Sequence, residues 1–107
     1  MEYKVSVVIP TYNAEDFIDE TINSLKNQTI GFENIEVILI DDESKDSTQE
    51  ILKKYSQEYP NIKCFYPKNN SGTPSRGRNI GIEKAIADYI MFLDQDDRYA
   101  NTMCEVL

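Results

Sequence analysis

Histidine is absent from the 107-residue chain. That excludes imidazole general bases, histidine-containing triads and histidine-ligated metal centres. Cysteine is scarce: Cys64 and Cys104 lie among apolar neighbours without C-x-x-C spacing, so reduced structural thiols are expected rather than a disulfide. No apolar run approaches the ~20 residues of a membrane span and no signal-peptide pattern opens the chain, so a cytoplasmic location is the expectation. Positive charge is also short. Against 19 acids stand 11 lysines and arginines, a net charge of −8 that argues against a nucleic-acid-binding surface. Internal repeats, low-complexity tracts and linkers are missing, and the length fits a single domain, 1–107.

What is there is a regular alternation. A hydrophobic content of 40% is that of a globular domain. Lys4 to Pro10, KVSVVIP, carries β-branched residues at Val5, Val7, Val8 and Ile9 and reads as a buried strand. Asn13 is placed to cap a helix, with Asp16 in a weak capping box, and Ile18, Ile22 and Leu25 form its apolar stripe up to about Gln28, before a turn at Gly31. IEVILI, Ile35 to Ile40, is a second strand running into Asp41, Asp42 and Glu43. Asp46 and Gln49 suggest another capping box, Ile51, Leu52, Tyr55 and Tyr59 the buried face of a second helix, and Pro60 its stop. Ile62 to Tyr66 is a short third strand, followed by a polar loop from Pro67 to Pro74. A third helix opens at Ser75 or Asn79 with Ile82, Ala85 and Ile86 as apolar positions, and Gly77 and Gly81 allow close backbone approach. Tyr89 to Leu93 reads as a strand buried on both faces, and a last helix begins near Asn101. This βαβαβαβ(α) pattern predicts an α/β fold, a Rossmann-like parallel sheet with helices on both faces and strand order 3-2-1-4.

Under that topology the loops after the first, second and fourth strands meet at one edge of the sheet. Pro10, Thr11 and Tyr12 close the first, Asp41 to Glu43 the second, and Asp94, Asp96 and Asp97 the fourth. At ~4 Å and an effective dielectric of about 20, each like-charge pair in the last cluster costs roughly 4 kcal/mol. Mg²⁺ or Mn²⁺, which favour carboxylate oxygen, remove that cost. A tyrosine face can stack on a nucleobase, a carboxylate can accept from the uracil imide or a ribose hydroxyl, and Arg76 and Arg78 can reach phosphate oxygens. Asn70 and Ser71 add polar groups from the loop.

VSVVIPTYN, IEVILIDDESKDST, NNSGTPSRGRNIGI and YIMFLDQDD together resemble the successive motifs of the inverting family-two glycosyltransferases, in order and spacing, over nearly the whole chain. The resemblance implies the GT-A fold and a nucleotide-sugar donor, in particular a UDP-sugar. Position by position, Pro10, Thr11 and Tyr12 hold the base and Asp42 accepts from the uracil ring. Arg78 faces the diphosphate, with Asn70 lining the same loop and Arg76 beside it. Asp94 and Asp96 form the D-x-D pair around Gln95: Asp94 contacts the ribose or sugar, and Asp96 binds Mn²⁺ or Mg²⁺. The reaction implied is hexosyl or N-acetylhexosaminyl transfer to an acceptor hydroxyl with inversion, deprotonated by a general base expected beyond Leu107. Gly77 stands where the family often has alanine, and the form N-S-G-x-P-x-x-x-R-N resembles enzymes that build or decorate wall teichoic acids.

Family catalytic domains are much longer, so the chain is expected to be the nucleotide-sugar-binding half, cut in its fourth helix, that binds donor without turnover and self-associates through exposed sheet surface. The implied acceptor is a saccharide, a polyol phosphate or a lipid-linked sugar, and the inner face of the plasma membrane is a place such an enzyme works. Two other readings stay open at this point: a nucleotidyltransferase-like metal enzyme, although TYNAED lacks the glycine-rich basic loop such enzymes carry, and a non-catalytic nucleotide-binding domain. A signalling receiver fits worse, because its acids would close the first and third strands, and here those strands end in PTY and YPK.

Overall fold

The structure, a computed structural model, describes residues 3–67 and 74–93. Four parallel strands form one sheet: β1 (Val5–Thr11), β2 (Ile35–Asp41), β3 (Ile62–Phe65) and β4 (Ile90–Phe92), in the expected order β3-β2-β1-β4. Helices α1 (Ile18–Lys26), α2 (Thr48–Glu58) and α3 (Pro74–Lys84) connect them, with one 3-10 turn at Phe32–Asn34. The β-branched runs of β1 and β2 pair along their whole length, from Val5↔Ile35 to Thr11↔Asp41. Because side chains alternate across a strand, the sheet buries two separate layers. Val5, Val7 and Ile9 with Ile35, Val37 and Leu39 meet the α1 stripe Ile18, Ile22 and Leu25 and Leu52 of α2. Val8, Ile38 and Ile40 form the other layer, with Phe65, Ile80 and Ala85 packed on them.

Several local expectations are corrected. Asn13 does not cap α1. The helix starts five residues later, with Phe17 at its N-cap and no side-chain cap bond, and Asn13 adopts φ 48° instead. The capping box of α2 is not formed either: Gln49 turns away to Asp41, while Asp46 still accepts from the Thr48 amide at 2.9 Å. In and just after α3 the packed residues are Ile80 and Ala85, whereas Ile82 and Ile86 are exposed. The last strand is not buried on both faces. It is the sheet's edge, and Tyr89, Ile90 and Phe92 are 57%, 36% and 43% exposed. Apolar composition reports burial in a complete neighbourhood, and nothing among the described residues covers the far side of β4. The fourth helix lies outside the described residues.

Two features fix α3. Its glycines rest on β1: a Cβ at Gly81 would stand 2.2 Å from Val8 Cγ1, and one at Gly77 would stand 3.0 Å from Pro10 Cβ. At the other end lies Glu36, a fully buried carboxylate. It accepts from Ser6 Oγ at 2.6 Å, from Lys63 Nζ at 2.5 Å and from the Ile86 amide at 3.0 Å, and Ser6 Oγ accepts in turn from the Ala87 amide. Burial pushes the Glu36 carboxyl up, but the hydrogen bonds from Lys63, Ser6 and Ile86 outweigh it and hold the group below its ordinary value of 4.5. Cys64, half-buried with its thiol on the Leu52 carbonyl, is pushed up by burial to about 11, as suits a structural thiol.

Two outcomes follow for stability in urea. Gly81→Ala loses about 1–3 kcal/mol to overpacking in spite of ~1 kcal/mol of better helix propensity, Gly77→Ala loses less, and Val8→Ala restores part of the loss in the first variant. For Glu36 the folded-state pKa is the depressed one. Its contribution is present above pH 4.5 and is lost as the pH falls through the folded value. Glu36→Gln is therefore about 2 kcal/mol less stable at neutral pH and shows a flatter acid limb.

Candidate functional site

β1 and β2 end in register, with Thr11 opposite Asp41, and the two loops that leave them are stitched together. The Asn13 amide donates to Ser44 Oγ at 2.9 Å, and Asn13 Oδ1 accepts from the Lys45 amide at 2.8 Å. The Ala14 amide donates to Thr48 Oγ1 at 2.7 Å, and Glu15 Oε2 accepts from the Ser47 amide at 3.0 Å. Burial tends to raise the Asp46 carboxyl, but bonds from the Thr48 hydroxyl and amide and from the Glu15 amide hold it below the usual range. Two non-glycine residues sit in the left-handed region to make these turns, Asn13 at φ 48° and Glu43 at φ 58°.

Asp41 is the hub of this arrangement and is fully buried. Its Oδ1 accepts from Thr11 Oγ1 at 2.9 Å and from the Ser44 hydroxyl. Its Oδ2 accepts from the Ser44 amide at 2.8 Å and from Gln49 Nε2 at 2.9 Å. Asp42, next in the chain, is half-exposed, and its amide donates to the Thr11 carbonyl at 2.8 Å.

The predicted residues are distributed as follows. Pro10 is half-buried, Thr11 is buried with its hydroxyl on Asp41, and Tyr12 is 41% exposed at the same edge. Arg76 and Arg78 flank Gly77, whose contact with Pro10 lays the first turns of α3 against the end of β1. β4 reaches that edge too, where buried Leu93 donates its amide to the Val8 carbonyl at 3.0 Å. Asn70, Asp94, Gln95 and Asp96 lie outside the described residues. Among the described residues no three His, Cys, Asp or Glu side chains converge to hold a metal. Sequence reasoning gave Ser44 and Thr48 no individual role and gave Gln49 only a place in a capping box. The hub role of Asp41 was within reach, because strand alternation puts it on the face of Val37 and Leu39; the loop-to-loop bonds have no sequence period to betray them.

The sequence model described as Glycosyl transferase family 2 matches residues 6–107. Among curated relatives, the minor teichoic acid biosynthesis protein GgaB of Bacillus subtilis is 48% identical over 95 residues, 89% of this chain and 10% of that one. The poly(ribitol-phosphate) beta-glucosyltransferase of Bacillus spizizenii is 46% identical over 94 residues, 88% of this chain and 15% of that one. The chain thus spans under a sixth of either relative. Among solved structures, TarS of Staphylococcus aureus, residues 1–349 in complex with UDP, superposes with a TM-score of 0.88 at 36% identity, over 96% of this chain and 30% of that one. The same TarS piece has been solved with UDP-GlcNAc.

The two left-handed residues respond oppositely to substitution. Asn13→Ala loses the Lys45 bond and meets the αL penalty, destabilising by about 1–2 kcal/mol. Glu43→Gly removes the penalty and is neutral to about 1 kcal/mol stabilising after the glycine's chain entropy. Thermal unfolding of both variants checks the pair.

Proposed function

The chain belongs to glycosyl transferase family 2, and from that membership we propose that it forms the donor-binding part of an inverting glycosyltransferase that moves a hexosyl or N-acetylhexosaminyl group from a UDP-sugar to an acceptor hydroxyl. The observation that carries this reading is the stitched pair of loops presenting Tyr12 and Asp42 at the carboxyl edge of β1 and β2, with Arg76 and Arg78 on the helix laid against Pro10. Open parallel sheets bind ligands at that edge. The likeness to a protein solved with UDP supports the same reading.

In this assignment the Tyr12 ring stacks on the uracil and the Asp42 carboxylate accepts its imide N–H. Arg76 and Arg78 balance the diphosphate charge. Asn70, Asp94 and Gln95 complete the donor contacts. Asp96, paired with Asp94 in the D-x-D motif, would hold Mn²⁺ or Mg²⁺; carboxylate oxygens suit these hard cations, whose charge favours departure of the diphosphate. The acceptor oxygen bonds to the anomeric carbon as the bond to the diphosphate oxygen breaks, and UDP leaves with that electron pair. The acceptor proton passes to a general base. Relatives named for teichoic acid synthesis and for poly(ribitol-phosphate) glycosylation make a polyol-phosphate polymer the acceptor we favour. The cytoplasmic face of the plasma membrane is the place of work we propose for it.

Calorimetric titration of UDP, with and without Mn²⁺, tests the proposal. Wild type binds, and binds more tightly with Mn²⁺. Asp42→Ala weakens binding about tenfold or more, the size of a lost hydrogen bond to a charged group. Asp96→Ala loses the metal enhancement. Equal affinity for UDP and ADP, or no response to either substitution, would overturn it.

A further inference from the structure

The sequence offers two adjacent aspartates after β2, and the geometry gives them different work. We infer that Asp41 is a positioning residue: it never touches the ligand, but it anchors the loop that follows and so fixes the direction of Asp42. This inference rests on the nucleotide-binding reading of the same loops and adds to it the device that holds them.

The argument starts from the four bonds to its carboxylate. Thr11 comes from the end of β1, Ser44 contributes both amide and hydroxyl from the loop, and Gln49 reaches back from the first turn of α2. One buried side chain thus ties the end of β1, the loop after β2 and the first turn of α2 together across the strand ends. An ionised carboxylate is acceptor-only with about four lone-pair sites, and here each oxygen receives two donors. Nothing remains on it for a base. Asp42, one residue on, is pinned by its amide to the Thr11 carbonyl, so its backbone is fixed between two residues that Asp41 holds. The fixed loop then carries its own strain: Glu43 at φ 58° is kept there by the Ser44 bonds on its other side.

The chemistry separates anchoring from contact. In Asp41→Asn the carbonyl oxygen can serve the Ser44 amide and Gln49. The NH₂ can donate to the hydroxyls of Thr11 and Ser44, which rotate to accept. An anchor therefore survives this change. A group that accepts the uracil imide N–H does not, because an amide NH₂ in that place opposes uracil and suits the N3 acceptor of cytosine.

The experiment is UDP and CDP titration into wild type, Asp41→Asn, Asp41→Ala, Asp42→Asn and Gln49→Ala, with Ser44 amide exchange by NMR in the ligand-free proteins. Expected are UDP binding by Asp41→Asn within about threefold of wild type with the preference over CDP kept, and a loss of at least tenfold in Asp41→Ala. Gln49→Ala, which keeps the other three bonds, weakens UDP a few-fold with its melting temperature held. Asp42→Asn loses the preference for UDP. Ser44 exchange rises about tenfold in Asp41→Ala and stays near wild type in Asp41→Asn. A switch to CDP in Asp41→Asn, with Asp42→Asn still preferring UDP, overturns the inference, as does unchanged Ser44 exchange in Asp41→Ala. Should wild type bind no UDP, the nucleotide reading fails, and the exchange measurement decides the anchor by itself.

Discussion

The side of the carboxyl edge that carries Arg76 and Arg78 depends on how closely α3 lies on β1. Two residues of that helix have no side chain where they cross the strand, and one of them leaves no room for even a methyl group beside Val8. The contact is steric and therefore short-ranged. It sets how near the helix can come to the sheet, as close packing does in any protein interior. Arg76 and Arg78 owe their place to it, since they sit on either side of the glycine that touches Pro10. The buried Glu36 performs the complementary task at the far end, holding the turn after the helix by the Ile86 amide directly and by the Ala87 amide through Ser6. Steric contact fixes distance and the carboxylate fixes direction.

The loops follow a different logic. Their residues are mostly exposed, so packing cannot order them. Hydrogen bonds between the loops do so instead, and the buried donors and acceptors at the strand ends make those bonds costly to break. A site built this way is rigid where it meets Asp41 and Thr48, both fully buried, and open where it meets Tyr12.

Much of this was legible in the sequence, and the limits are physical. Strands with β-branched runs, the stripe Ile18–Ile22–Leu25 and the alternation of elements were enough for the sheet order, because each depends on a period the fold preserves. The start of α1 was misplaced because Asn13 has two uses: an asparagine can cap a helix or take φ > 0, and here the Lys45 amide across the loop decides for the second. β4 was read as buried from its apolar composition, whereas among the described residues it is an edge strand with Ile90 and Phe92 exposed. At the site, residue types at the strand ends could be read directly. The division of labour between Asp41 and Asp42 required knowing which donors surround the first.

The placement of β1 also governs how the chain comes together in time. The strand made first is one of the two interior strands, and its last partner is made some eighty residues later; the Ala87-to-Ser6 bond alone spans 81 positions. β1, β2 and β3 can assemble successively through nearby crossovers. The edge strand, however, must wait for α3 to settle on Val8 before its amides find β1. Loop closure over such a distance is slow relative to local helix formation. Of the strand pairings, β1 with β4 therefore closes the longest loop and carries the largest chain-entropy cost, so shortening that connection is the change that would speed folding most.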